Sequence, residues 1–155
     1  MMHKIFVAVS WLLVIACAAS IFMLSAQTGS TSAELSGDVM GFFGQLWTRL
    51  FGEAAHTVLR KCAHFLAYCA LMFLTYHACF RTRRQKRLRF VLPFVLCVLY
   101  AVSDEIHQYF VPERACCLFD VGVDALGCMV GGLCFFLLAK LCIRIKKKKN
   151  GEVLS

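Results

Sequence analysis

Four apolar runs divide the chain: residues 5–24, 57–80, 88–102 and 118–145. A helix rising 1.5 Å per residue needs about 20 residues to cross a hydrocarbon core of about 30 Å. The first, second and fourth runs reach that length directly. The third reaches it only if Ser103-Asp104-Glu105 and the residues up to Gln108 stay helical. The pattern predicts spanning helices over about 5–24, 57–80, 88–108 and 118–143, hence an all-α integral membrane bundle of four transmembrane helices. At 155 residues, one domain over 1–155 is expected.

Two features of the pattern need a closer reading. The first run follows only Met1 to Lys4 and is longer than the roughly 7–15 apolar residues of a signal peptide, so a retained helix is expected. Val14-Ile15-Ala16-Cys17 resembles a lipoprotein cleavage box, but the chain stays apolar to Leu24. Between the first two runs, Leu35, Val39, Phe42, Phe43, Leu46, Trp47, Leu50 and Phe51 recur at helical spacing, with Ser36, Asp38, Gln45 and Arg49 falling elsewhere. This predicts an amphipathic helix, either in the outer membrane interface or on the rim of the bundle.

Composition agrees: 60% of residues are hydrophobic and mean hydropathy is +0.70, against roughly 45–50% apolar residues in soluble domains. A net charge of +8 by itself would allow nucleic acid as a partner. Its distribution argues against that, because the positive residues form blocks beside apolar runs. Arg81, Arg83, Arg84, Lys86, Arg87 and Arg89 fill one connection, and Arg144 and Lys146 to Lys149 the tail. The connections 26–56 and 103–119 are acidic. The positive-inside rule then predicts both termini and residues 81–89 in the cytoplasm. Cys17, Cys69, Cys79, Cys97, Cys128, Cys134 and Cys142 lie inside apolar runs and read as small packing residues. Cys116 and Cys117 lie in an outward connection, with no pairing implied.

The ionisable residues inside the runs carry the candidate chemistry. Counted from the basic inner edges, His64, Asp104, Glu105 and Asp124 fall about 22–30 Å up, in one layer towards the outer face. Lys61, His64 and Tyr68 share a helical stripe, Asp104 lies beside His107 and Gln108, and Asp120 and Asp124 form a third stripe with Gly127 and Gly131. The two glycines make a small-xxx-small motif that admits close approach of another helix. Charges at this depth are costly alone and are usually paired and functional. A site of Lys61, His64, Tyr68, Asp104, Glu105, His107, Gln108, Arg114, Asp120 and Asp124 is therefore expected to bind a ligand. Asp104, Glu105, His107, Asp124 and His64 are the acid–base candidates should it be catalytic. A purely structural ion-pair network is the simpler reading of the same residues. No strict metal-ligand motif occurs, and neither a metal nor a cofactor is expected. Arg60 is expected to snorkel and His77 to be structural.

Ser25, Arg60-Lys61-Cys62-Ala63-His64-Phe65-Leu66-Ala67-Tyr68, Ser103-Asp104-Glu105-Ile106-His107-Gln108 through Pro112-Glu113-Arg114, and Asp120-Val121-Gly122-Val123-Asp124-Ala125-Leu126-Gly127 together resemble the VanZ-like family over nearly the whole chain. The chain departs from the family pattern at Ala67, where an acidic residue is common, and around the arginine at Glu113 and Ala115-Cys116-Cys117. The resemblance implies a bacterial cell-envelope membrane protein, often Gram-positive. The family's namesake is associated with reduced sensitivity to teicoplanin, a lipid-tailed glycopeptide acting outside the cell. The implied partners are membrane lipids and a lipid-linked cell-wall precursor or lipoglycopeptide. The alternative is a membrane-embedded enzyme acting on a lipid headgroup by Asp/Glu/His acid–base or metal chemistry. A transporter is less supported, because the inner halves of the runs lack matching ionisable groups.

The charge asymmetry makes a direct prediction. In intact cells, with the accessible native cysteines replaced, Ser30→Cys should react with an impermeant thiol reagent and Gln85→Cys should be protected. The reverse pattern would overturn the topology.

Overall fold

A computed structural model describes residues 2–28, 49–82, 86–112 and 117–152. These residues are all-α, with no strand among them: α1 is Met2–Ser25, α2 Ala55–Thr82, α3 Lys86–Tyr109 and α4 Leu118–Glu152. All four helices are long and apolar enough to cross a membrane. The amphipathic segment expected over 35–51 lies mostly outside the described residues. Its last residues, 49–51, are helical and lead into a 3-10 turn, Gly52–Ala54. Gly52 sits at φ +54, a left-handed conformation that glycine adopts without steric cost.

The helix boundaries follow from local chemistry. The polar continuation of the third run is helical to Tyr109 and makes α3 long enough to span. Pro93 lies inside α3 and removes one backbone donor from its ladder. Next to that break the Tyr76 hydroxyl donates to the Phe90 carbonyl at 3.0 Å, tying α3 to α2. The fourth helix runs to Glu152 rather than stopping near 143. Lysine is a good helix former, and at 1.5 Å per residue this helix outruns a core of about 30 Å, leaving the lysine-rich end in water.

The second helix, α2, packs against all three others and is the most enclosed of the four. Side-chain pairs fix the directions. Ser10 meets His77 at 3.3 Å and Trp11 Nε1 donates to Thr82 at one end, while at the other Ser25 donates to Asp104 beside His64, so α1 runs antiparallel to α2. Cys97 lies 3.7 Å from Thr75, and α3 is also antiparallel to α2. The fourth helix is parallel to α2. His77, accepting from Arg81 Nε at 3.1 Å, serves the α1–α2 seam. At the same end of the bundle, Tyr76, Phe80, Phe90, Phe135 and Phe136 pack with ring centroids 5.1–6.3 Å apart. All described cysteines are free thiols, and Cys79, Cys97 and Cys128 are buried.

The outside of the bundle is apolar: Leu66, Leu12 and Leu133 are each about 60% exposed. Apolar surface of this extent is stable only against lipid or another protein.

The α2–α4 contact is backbone against backbone. A methyl group added at Gly127 would overlap the Phe65 carbonyl, and one at Gly131 the Cys69 carbonyl. Gly122, on the same helix, has open space around its Cα. We predict that Gly131→Ala lowers the melting temperature in detergent, at a cost of about 1–3 kcal/mol. Gly122→Ala should be neutral or slightly stabilising, since alanine is the better helix former. Equal behaviour of the two variants would contradict the close approach.

Candidate functional site

One end of the bundle gathers polar side chains from all four helices. Its floor is Asp104, which is 2% exposed. Asp104 Oδ2 accepts from Ser25 Oγ of α1 at 2.9 Å and from Gln108 Nε2, one turn along α3, at 3.1 Å. Two donors on one oxygen fix the rotamer of a buried carboxylate, which would be costly without them. The other oxygen, Oδ1, is buried with no hydrogen-bond partner among the described residues.

Above Asp104, α2 and α4 contribute His64 and Asp124. His64 Nδ1 lies 3.9 Å from Asp104 Oδ2 and 3.9 Å from Asp124 Oδ1. Asp124 is as buried as Asp104, and its Oδ1 has no hydrogen-bond partner. Ligand atoms of the three residues lie within 4.8 Å of one another. Tyr68, one turn from His64, is fully buried, and its hydroxyl interacts electrostatically with Asp104 and Asp124.

Around this centre lies a second ring of contacts. Lys61 pairs with Asp120, and its ammonium also sits 5.1 Å from the Phe119 ring centroid. Glu105 Oε1 accepts the Cys117 N–H at 2.6 Å, which satisfies a donor at the start of α4 where the helix dipole favours a negative charge. Arg60, Lys61, His64, Glu105, Asp120 and Asp124 line a narrow cleft of about 10 Å³. Beside it an open apolar groove of about 390 Å³ is lined by Val58, Cys62, Phe65 and Leu66. Lys61 and Val123 border both.

Of the residues singled out in the sequence, Lys61, His64, Glu105, Gln108, Asp120 and Asp124 line the cleft, with Asp104 and Tyr68 behind it. His107 does not join them. It stacks on Phe22 with ring centroids 4.4 Å apart, facing α1. At 100° per residue Asp104 and Gln108 are about 40° apart, whereas His107 lies about 60° beyond Asp104 on the other side. Arg114 lies outside the described residues. Ser25 is the contributor that spacing alone did not single out. Its only local signal is a polar residue ending an apolar run.

The Lys61–Asp120 pair is open to a thermodynamic test. Lys61→Ala and Asp120→Asn should each destabilise the protein, and the double variant should lose less than the sum by about 1–2 kcal/mol. Strict additivity in detergent melts would mean that the two side chains do not interact.

Comparisons with known proteins give the family of the chain. No curated protein and no solved structure matches the chain significantly. A family model described as VanZ/LLP1 matches residues 10–139, a stretch that runs from α1 into α4 and contains every residue of the cleft. The chain is a multi-pass membrane protein and belongs to the VanZ/LLP1 family.

Proposed function

We propose that this protein is a bacterial cell-envelope protein of the plasma membrane, with both termini cytoplasmic, whose cleft opens at the outer face and engages an amphiphile with an anionic headgroup. By doing so it would lower sensitivity to teicoplanin-type glycopeptides. The observation that carries this reading is the pairing of a polar cleft with an apolar groove across a shared border at Lys61 and Val123. A ligand with a charged head and a hydrocarbon tail matches that pairing, and a water-soluble ligand leaves the groove unused. Arg60 and Lys61 supply charge-assisted hydrogen bonds for the head. The acyl tail would lie along Val58, Phe65 and Leu66, where burying each methylene contributes about 0.8 kcal/mol. Membrane lipids and a lipid-linked cell-wall precursor are the natural sources of such a molecule, and a lipoglycopeptide has the same two-part chemistry.

A second reading is an enzyme acting on that headgroup. It draws on His64, an imidazole equidistant from two carboxylates and suited to general acid–base work.

Lipid mass spectrometry of purified protein tests the binding reading. An anionic lipid should co-purify with wild type and be depleted in the Arg60→Ala, Lys61→Ala double variant at equal expression. An unchanged lipid profile would overturn it. In a sensitive host, wild type should raise the inhibitory concentration of teicoplanin but not of a glycopeptide without an acyl tail. Asp104→Asn should abolish the effect. If the enzyme reading holds, Asp104→Asn should retain the lipid while losing the phenotype.

A further inference from the structure

We infer that His64, Asp104 and Asp124 form a binding site for one divalent first-row transition cation. Three helices bring the donors together, so no linear motif announces the site. The ligand atoms lie within 4.8 Å of one another, and His64 Nδ1 stands 3.9 Å from an oxygen of each carboxylate. Donors about 2.1 Å from a metal at tetrahedral angles are about 3.4 Å apart, so each imidazole–carboxylate pair needs to close by about half an ångström and the two carboxylates by up to about 1.4 Å. The mixture of one imidazole nitrogen with carboxylate oxygens suits manganese, iron or zinc better than magnesium or calcium, which take oxygen ligands throughout.

The second line of support is independent of that spacing. Asp104 and Asp124 are each 2% exposed, and each has a buried oxygen with no hydrogen-bond partner among the described residues. Buried polar atoms in native proteins nearly always find a partner, and unmet oxygens on two neighbouring buried carboxylates point to a bound ion or water. Two carboxylates buried this close repel strongly in a low dielectric. The nearest lysine, Lys61, is paired with Asp120 and reaches Asp124 only through a weaker, longer-range attraction. A divalent cation compensates both charges at once. The surroundings are also those of a metal site: Ser25 and Gln108 hold Asp104 in its rotamer, as outer hydrogen bonds hold metal-ligating carboxylates. The cleft lined by Lys61, Glu105 and Asp120 leads to His64 and Asp124, giving the ion a way in and leaving coordination positions for water or a ligand's oxygen.

Cation binding does not require the amphiphile, and the two are measured separately. The probe is cobalt(II), added to full-length protein that has been stripped of metal and purified in detergent under reducing conditions. Its visible spectrum distinguishes nitrogen and oxygen ligands from thiolates, which matters in a chain with ten cysteines. Wild type should take up about one equivalent, with d–d bands and without the near-ultraviolet absorption of a cobalt–thiolate bond. It should also melt at a higher temperature with the ion than without it. His64→Ala and Asp124→Asn should weaken uptake at least about tenfold, whereas His77→Asn, at the opposite end of α2, should bind as wild type does. Absence of the d–d bands in wild type, a thiolate spectrum alone, or unchanged uptake in the His64→Ala, Asp124→Asn double variant would each overturn the site. Should the variants fail to fold, the wild-type spectrum still decides. Loss of the co-purifying lipid with cobalt uptake intact would count against the amphiphile and leave the cation standing.

Discussion

Everything at the polar end of this bundle depends on how closely α4 approaches α2. Gly127 and Gly131 lie against the Phe65 and Cys69 carbonyls, with no side chain between the two backbones. Asp124 precedes Gly127 by three residues and Asp120 precedes it by seven, so both project from the same face of α4. The glycine contact therefore brings those carboxylates onto Lys61 and His64, which share a stripe of α2. A helix separated by ordinary side chains would stand farther off and leave the acids without partners. In lipid there is little hydrophobic gain from pressing two helices together, so small residues and polar contacts must supply the association. Here the same face of α4 supplies both.

The partition of charges follows from depth. Lys61 and Asp120 lie at the rim, where each retains some exposure, and they pair with one another. Glu105 is occupied at the first turn of α4. That leaves Asp104 and Asp124, the deepest of the acids, with His64 as the basic group closest to both among the described residues. A network that merely fixed helix register would be expected to satisfy its most buried members first, because those carry the largest desolvation cost. Here the exposed pair is satisfied, whereas one oxygen of each buried carboxylate has no hydrogen-bond partner among the described residues. That inversion is the argument for function over register.

Much of this was legible in the sequence, for identifiable reasons. Span number and length follow from apolar runs, since a bilayer of fixed thickness imposes a fixed count of residues. The common depth of His64, Asp104 and Asp124 follows from counting 1.5 Å per residue from basic edges. What spacing could not supply was azimuth between helices. His107 shares a helix face with Asp104 by the loose i, i+3 rule, yet the packing of α1 turns it onto Phe22. Ser25 closes the site from α1, and no periodicity on α3 announces a donor from a helix about 80 residues away in the chain. The donor triad is hidden for the same reason, with one ligand on each of α2, α3 and α4.

Charge bookkeeping joins the two readings of the site. Asp104, Glu105, Asp120 and Asp124 bring four negative charges against the fixed positives of Arg60 and Lys61. By the described residues alone, the ionised cleft carries a net charge of about −2 and should repel an anionic head at short range, where the dielectric is low. A single divalent ion bound between Asp104, His64 and Asp124 brings that sum to zero and places its open positions towards the cleft. An incoming phosphate or carboxylate oxygen could then complete the coordination sphere while Lys61 and Arg60 meet the remaining oxygens. Cation and amphiphile would be linked ligands, each raising the other's affinity by the same factor. Such reciprocity fits a site whose deepest groups are acidic and whose rim is basic.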